Sequence, residues 1–330
     1  MTERRQLLRD QCLKKPPNPL FLQEADFTRF IVIEKLKLVF CFIPKVSCTT
    51  WKRILYSAEN NGEKLEGVPH RKKLFSWLQD YSIFERQKIL STYYKAMFVR
   101  EPFARLASAY RDKIKKTWFR RFLLPDKTKR EIKKEKEHPF SAFVNRVIET
   151  NATQQKYRGI EDQHWRSYEQ ICPCEVDYDF IGHFENLDEE APTLLKIIGV
   201  DGYVTFPDYH PSKTSPYMLE YYSQLSVDEI FQLKKLFDLD FKLFGYDFPG
   251  PLEGILKKKG PSEESWLHAF YDGYYLWPRY PVYNSRYSGI YILSLSTRPV
   301  PCLFYFLSYG VSLSFFNFYN RASGTVVVMT

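Results

Sequence analysis

The feature that most constrains the fold is the run at residues 36–43, LKLVFCFI, stopped by Pro44. Its last six residues are continuously apolar, the pattern of a strand buried on both faces of a parallel sheet. A short polar turn follows, and then Trp51, Ile54, Leu55 and Ala58 recur at helical spacing. The unit repeats. Residues 96–99 read as a short strand broken by Arg100-Glu101-Pro102, with Pro102 suited to a first helical turn and Phe103, Leu106, Ala107 and Tyr110 marking a helix face. Residues 178–184 read as a third strand; Asn186 is placed as an N-cap with Glu189 as its partner, ahead of the stripe Ala191, Leu194, Leu195 and Ile198. Ser226, with Glu229, opens a later helix. Repeated strand–helix units predict a three-layer α/β fold with a mostly parallel central sheet.

The chain of 330 residues holds one large domain or two small ones, and its 44% hydrophobic content excludes wholesale disorder. A formal net charge of +9 points to an anionic partner. Residues 111–138 carry twelve Lys/Arg against five Asp/Glu, so most of that charge sits in one segment, readable as a solvated helical face or as a binding surface. The six cysteines, at 12, 41, 48, 172, 174 and 302, are too few and too scattered to predict a disulfide scaffold. They form no C-x2-C pair and have no histidine at ligand spacing, so no metal site is expected. The first twenty residues are basic and polar without an apolar core, which predicts neither a signal peptide nor a membrane anchor. Residues 265–330 are dense in Tyr and Phe, nearly free of charge and without a clean period. Within them residues 300–319 are uncharged and long enough to span a bilayer, but Pro301, Gly310, Asn317 and several serines favour an appendage outside the core.

Ligands of open α/β sheets bind at the carboxyl ends of the strands, and two loops there have phosphate chemistry. In Pro44-Lys45-Val46-Ser47-Cys48-Thr49-Thr50 a strand delivers a short loop into a helix N-terminus, whose N–H groups and dipole favour an anion. Lys45 adds a mobile positive charge, and Thr49 and Thr50 add hydroxyl donors. The mechanics are those of a P-loop without its glycines or its G-K-[ST] order; an ordinary strand–helix turn with a solvated lysine is the plain alternative. In the second loop, Arg100-Glu101-Pro102-Phe103-Ala104-Arg105-Leu106-Ala107-Ser108, a planar guanidinium at a strand end can grip a phosphate with two bonds, and Ser108 lies two turns into the helix.

These stretches resemble a known family. FCFIPKVSCTTWKRIL resembles the 5′-phosphosulfate-binding loop of Golgi carbohydrate sulfotransferases, the relatives that sulfate chondroitin, dermatan and the HNK-1 glycan. FVREPFARLASAYRDK resembles their 3′-phosphate-binding segment, DQHWRSYEQICPCEVDYDFIGHFENLDEEAPTLLKIIGV a third block, and LDFKLFGYDFP the usual ending. The likeness covers roughly residues 30–249, with four blocks in family order.

The resemblance implies a P-loop-like fold and a sulfuryl transfer from 3′-phosphoadenosine-5′-phosphosulfate (PAPS) to a glycan hydroxyl, without a metal. It places the donor along Pro44, Lys45, Val46, Ser47, Cys48, Thr49 and Thr50, and along Arg100, Glu101, Pro102, Phe103, Ala104, Arg105, Leu106, Ala107 and Ser108. Lys45 is the expected cation at the leaving oxygen and His70 the expected general base, with His164 and His183 read as structural. Asn151-Ala152-Thr153 is a glycosylation sequon, meaningful in a lumenal enzyme. The implied partner is an acidic or neutral glycan containing GalNAc or glucuronate, not nucleic acid. The implied setting is the Golgi membrane with a lumenal catalytic domain, although no anchor appears in this chain. The expected domains are a lead-in at 1–29, the catalytic domain at 30–250 and an aromatic tail at 251–330 that has no family counterpart. The cysteines flanking Pro173 stand one residue closer than in relatives, and the stretch 111–151 is short. An inactive truncated family member remains an alternative. A nucleotide-dependent kinase is a further one, but it would need strand-end carboxylates for magnesium, which are not seen. A single-stranded RNA binder would leave the two ordered phosphate loops unexplained.

Overall fold

Two apolar runs joined by a polar Glu34-Lys35-Leu36-Lys37 connection fold back on each other, with Lys37 in the left-handed region at the turn (φ 47°). They make the hairpin of β1 (Phe30–Ile33) and β2 (Leu38–Cys41), in register Phe30 to Cys41 and Ile33 to Leu38. The computed structural model describes residues 2–16, 18–67, 69, 72–115, 140–152, 162–207 and 214–260, with 318–319 and 326–327. Residues 1–274 and 275–330 form separate units.

In the first unit the helices are α1 (Thr2–Cys12), α2 (Phe21–Glu24), α3 (Cys48–Glu59), α4 (Ile83–Thr92), α5 (Pro102–Ala109), α6 (Phe140–Ala152), α7 (Leu187–Ile197), α8 (Thr214–Ser223), α9 (Val227–Leu236), α10 (Asp238–Phe244) and α11 (Glu253–Lys259). The remaining strands of its sheet are β3 (Ser76–Trp77), β4 (Tyr94–Val99) and β5 (Phe180–His183), and the order across the sheet is β3-β1-β2-β4-β5. β2 pairs with β4 and β4 with β5 in parallel; β1 joins β2, and β3 joins β1, antiparallel. The sheet is therefore mixed, parallel in the half that carries residues 44–50 and Arg100. Every residue of β1 and β2 is buried, so both faces are covered. Each large apolar side chain removed from water there contributes about 1.5–3 kcal/mol.

Packing places α3. Trp51 is fully buried, with ring centroids 4.6 Å from Phe98, 5.0 Å from Phe40 and 4.9 Å from Phe206, so the helix starts directly over the ends of β2 and β4. A second core lies among the helices, where Phe103, Leu106, Phe140, Phe143 and Tyr222 pack together. The Tyr222 hydroxyl donates to the Phe103 carbonyl at 3.1 Å. That core takes in Leu252, just before α11, and Leu256, on it.

Two local expectations need correction. The sequence predicts no disulfide framework, yet Cys12 pairs with Cys174 and Cys41 with Cys172. Spacing cannot reveal that the segment around Pro173 lies against both α1 and β2. Asn186 does precede α7, but its side chain makes no cap: Asn186 Nδ2 donates to Glu190 Oε1 at 3.1 Å. Ser226 and Glu229 form the full capping box. In the second unit the strands β6 (Phe318–Tyr319) and β7 (Val326–Val327) pair antiparallel, so the end of the uncharged stretch 300–319 is a strand; the rest of it lies outside the described residues. Among the described residues no helix is long and apolar enough to cross a membrane.

Candidate functional site

Parallel pairing sets the carboxyl ends of β2, β4 and β5 side by side, with Cys41 opposite Met97 and Val99 opposite His183. Residues 44–50 and Arg100 leave the sheet along this edge. In the first loop Lys45 (φ 73°) and Ser47 (φ 49°) both adopt the left-handed region. For non-glycine residues this costs about 1–3 kcal/mol each, and such strain concentrates where a ligand is held. Turns of this kind curl successive backbone N–H groups into a concavity that suits an anion.

The two helix N-termini at this edge differ. That of α5 is already filled: Glu101 Oε1 accepts from Phe103 N at 3.1 Å and Oε2 from Ala104 N at 2.6 Å. Burial pushes the Glu101 carboxyl up to about 7, against the pull of those two bonds. Ser47 stands at the start of α3 without a side-chain cap bond, at the positive end of that helix dipole. Of the two, only the α5 start carries a side-chain cap.

Two arginines of the second loop hold the first. Arg105 Nε donates to the Pro44 carbonyl at 3.2 Å, and Arg100 Nη1 to the Lys45 carbonyl at 3.3 Å. Arg105 is 2% exposed, also donates to the carbonyls of Arg166 (2.6 Å) and Gln163 (3.5 Å), and lies 4.6 Å over the Tyr168 ring. Arg100 is stacked 4.2 Å over Phe184, and its backbone exchanges hydrogen bonds with the Tyr168 hydroxyl. The Lys45 ammonium meets Asp112 Oδ2 at 2.8 Å. Burial pulls the Lys45 pKa down, and Asp112 partly restores it. Lys52, one turn into α3, is buried with its ammonium 3.9 Å from the centre of the Phe42 ring; burial pushes it down to about 8.

The two predicted loops are thus brought together. Pro44 and Val46 are buried, while Lys45, Ser47, Cys48, Thr49 and Thr50 are half-buried. In the second loop Ala104 and Ser108 are half-buried and the other seven residues buried. His70 lies outside the described residues. His164 is half-buried beside Trp165. His183 stacks on Tyr246 at 4.8 Å, and burial pushes it down to about 4, so it is neutral at physiological pH. Asn151 falls in α6. Sequence reasoning missed Asp112 and the bracing role of Arg105; nothing in the local pattern marks either.

A family profile described as "Sulfotransferase family" matches residues 28–247, which include both loops and all five strands of the sheet. The chain belongs to the sulfotransferase family. This sulfotransferase is 30% identical to rat carbohydrate sulfotransferase 11 over 252 residues, 70% of this chain and 71% of the relative. It is 32% identical to chicken carbohydrate sulfotransferase 10 over 274 residues (75% of each) and 33% identical to the human form over 278 residues (75% and 76%). No solved structure matches this sulfotransferase.

Proposed function

We propose that the chain transfers a sulfuryl group from PAPS to a hydroxyl of a glycan containing GalNAc or glucuronate, in a P-loop-like catalytic domain. The carbohydrate acceptor follows the names of the relatives. The observation that carries the donor assignment is the bracing of the Pro44 and Lys45 carbonyls by Arg105 and Arg100, which fixes a cationic loop at an uncapped helix N-terminus. A phosphosulfate fits this chemistry: a strained concave loop, a half-buried ammonium and the hydroxyls of Thr49 and Thr50.

When bound, PAPS supplies an activated sulfur–oxygen–phosphorus linkage. The acceptor oxygen bonds to sulfur as the bond from sulfur to the bridging oxygen breaks, and the hydroxyl proton passes to a base. Lys45 faces the negative charge that gathers on that bridging oxygen, where a preorganised cation lowers the barrier most. Arg100 and Ser108 hold the 3′-phosphate, and His70 takes the proton. Arg105 acts as the strut that keeps the loop in shape. The basic stretch of residues 111–136 steers an acidic glycan, with affinity that weakens as salt rises.

The catalytic domain begins at about residue 30, and the aromatic tail takes no part in the chemistry. A lumenal Golgi setting agrees with the two disulfides, which persist in oxidising compartments. The direct test is incubation with radiolabelled PAPS and a panel of glycans followed by disaccharide analysis. Label in a GalNAc- or glucuronate-containing disaccharide is the expected result; label in none of the glycans would overturn the reading.

A further inference from the structure

The Lys45 ammonium does not stand alone at the mouth of the loop. It makes an ion pair with Asp112, Nζ to Oδ2 2.8 Å, across 67 positions of sequence. Asp112 sits in the middle of a π-helical turn, Tyr110–Ile114, that continues α5, closed by a bond from Lys115 N to the Tyr110 carbonyl at 2.9 Å. Such wide turns are rare and frequent at functional sites. Here the turn is anchored on both sides of the carboxylate. Tyr110 is buried against Phe140, Phe143 and Tyr221, and Ile114 is fully buried. Asp112 itself is half exposed, with 47% of its side chain in solvent. A fixed backbone thus presents a carboxylate to the tip of a long, otherwise adaptable lysine.

We propose that Asp112 is a positioning residue for sulfuryl transfer, one that holds the Lys45 ammonium in place before the donor arrives and yields it to the phosphosulfate. The inference rests on the reading of residues 44–50 as the donor loop.

Three consequences follow from the charges. An anionic donor competes with Asp112 for the same ammonium, so the carboxylate weakens ground-state binding of donor and by-product alike. Interactions of that kind lower affinity without slowing the chemical step. Asp112 also fixes where the ammonium sits, and misplacing a catalytic group by an ångström slows the reaction by up to about a hundredfold. Finally, Asp112 keeps Lys45 charged. Burial pulls the Lys45 pKa down, Asp112 raises it by hydrogen bond and charge, nearby Cys48 raises it further, and Lys113 lowers it. Arg100 approaches the Lys45 carbonyl. Removing the carboxylate leaves burial the largest influence, ahead of the opposing Cys48, so Lys45 loses its proton at lower pH.

The test is Asp112→Asn, with Asp112→Glu as the conservative rescue and Asp112→Ser as a second neutral variant should the amide misfold. Adenosine-3′,5′-bisphosphate affinity is read by calorimetry and the single-turnover rate with PAPS across pH. The expected result for the neutral variants is several-fold tighter bisphosphate binding, a rate lower by about tenfold or more, and an alkaline limb moved to lower pH; Asp112→Glu returns toward wild type. Wild-type values in all three measurements, or weaker bisphosphate binding, overturn the role of Asp112. Lys45→Ala separates this from the underlying reading: if it binds the bisphosphate like wild type and still transfers sulfate, the donor-loop assignment itself falls, whatever Asp112→Asn does.

Discussion

Arg105 Nε donates to the carbonyl of Pro44 at 3.2 Å, so helix α5 braces the loop that precedes α3. Arg105 has Asp240 near it, itself buried and pushed up to about 7 by that burial. Three loop carbonyls depend on this one guanidinium. Removing it takes this donor from the buried Pro44 carbonyl and from the carbonyls of half-buried Gln163 and Arg166. We expect Arg105→Ala to lose about 3–5 kcal/mol of stability in chemical denaturation. Arg105→Lys should rescue little, because an ammonium cannot reproduce the fork. A variant as stable as wild type would show that the strut is dispensable.

Lys45→Ala and Arg100→Ala should both abolish transfer by different routes. Lys45 is half-buried and in the proposed mechanism acts on the reacting group, so its loss should lower the single-turnover rate more than bisphosphate affinity. Arg100 is buried, stacked on Phe184 and bonded to the Lys45 carbonyl, so its loss should weaken binding and also lower the melting temperature. The two measurements together separate the roles, and normal turnover in either variant contradicts them.

Gly182 stands opposite Phe98 where β5 meets β4, and a Cβ there would collide with the Phe98 ring. The ring packs against Trp51, Phe40 and Phe180. Gly182→Ala should destabilise the protein by about 1–3 kcal/mol or more. Denaturant titration measures this; an unchanged midpoint would mean the aromatic cluster yields.

Truncation should discriminate two boundaries. Ending the chain after Gly260 keeps Leu252 and Leu256, both buried in the helical core; ending it after Pro251 removes them. Deleting such side chains costs about 2–5 kcal/mol each. The longer form is therefore expected to fold and turn over PAPS like the full chain, and the shorter to melt at lower temperature. If the shorter form is equally stable, α11 is not part of the core. If the longer form loses donor binding, residues beyond 260 contribute to the site.

His183 is held neutral by burial, its value lowered from 6.5 to about 4. A depressed folded-state value means that the contribution to stability is present above about 6.5 and is lost as pH falls from 6.5 toward 4. Glu101 acts oppositely: raised from 4.5 to about 7, it favours the fold at low pH and loses that contribution as pH rises through this window. The informative quantity is thus the difference between wild type and His183→Gln. On acidification from pH 7 to pH 4 the variant should lose less stability than wild type in urea titrations; a parallel loss would show that His183 does not titrate in this window.

Much of the local structure was legible in residue order. The run ending at Ile43, the break at Pro44 and the stripe Trp51, Ile54, Leu55 and Ala58 foretell a strand, a turn and a helix, and all three form. The Ser226–Glu229 box forms because its two partners lie three residues apart on one helical turn. The antiparallel hairpin escaped notice because β1 is four residues long and its connection includes Lys37 in a left-handed conformation that residue type does not announce.

Residue type and spacing by themselves determined that this chain has two strand–helix turns carrying Lys45 and Arg100, since strand and helix periods and side-chain charge are local properties. Tertiary structure alone decided what the loops do to each other. Arg105 reaches Pro44 across 61 positions and Asp112 reaches Lys45 across 67, and Cys12 and Cys174 meet across 162. These contacts follow from the parallel register of β2 with β4 and from the packing of α5 and α1, which bring distant segments within bonding range. A one-dimensional pattern carries the chemistry of each side chain but not the distances between them, and hydrogen bonds act over about 3 Å and screened charges over about 10 Å.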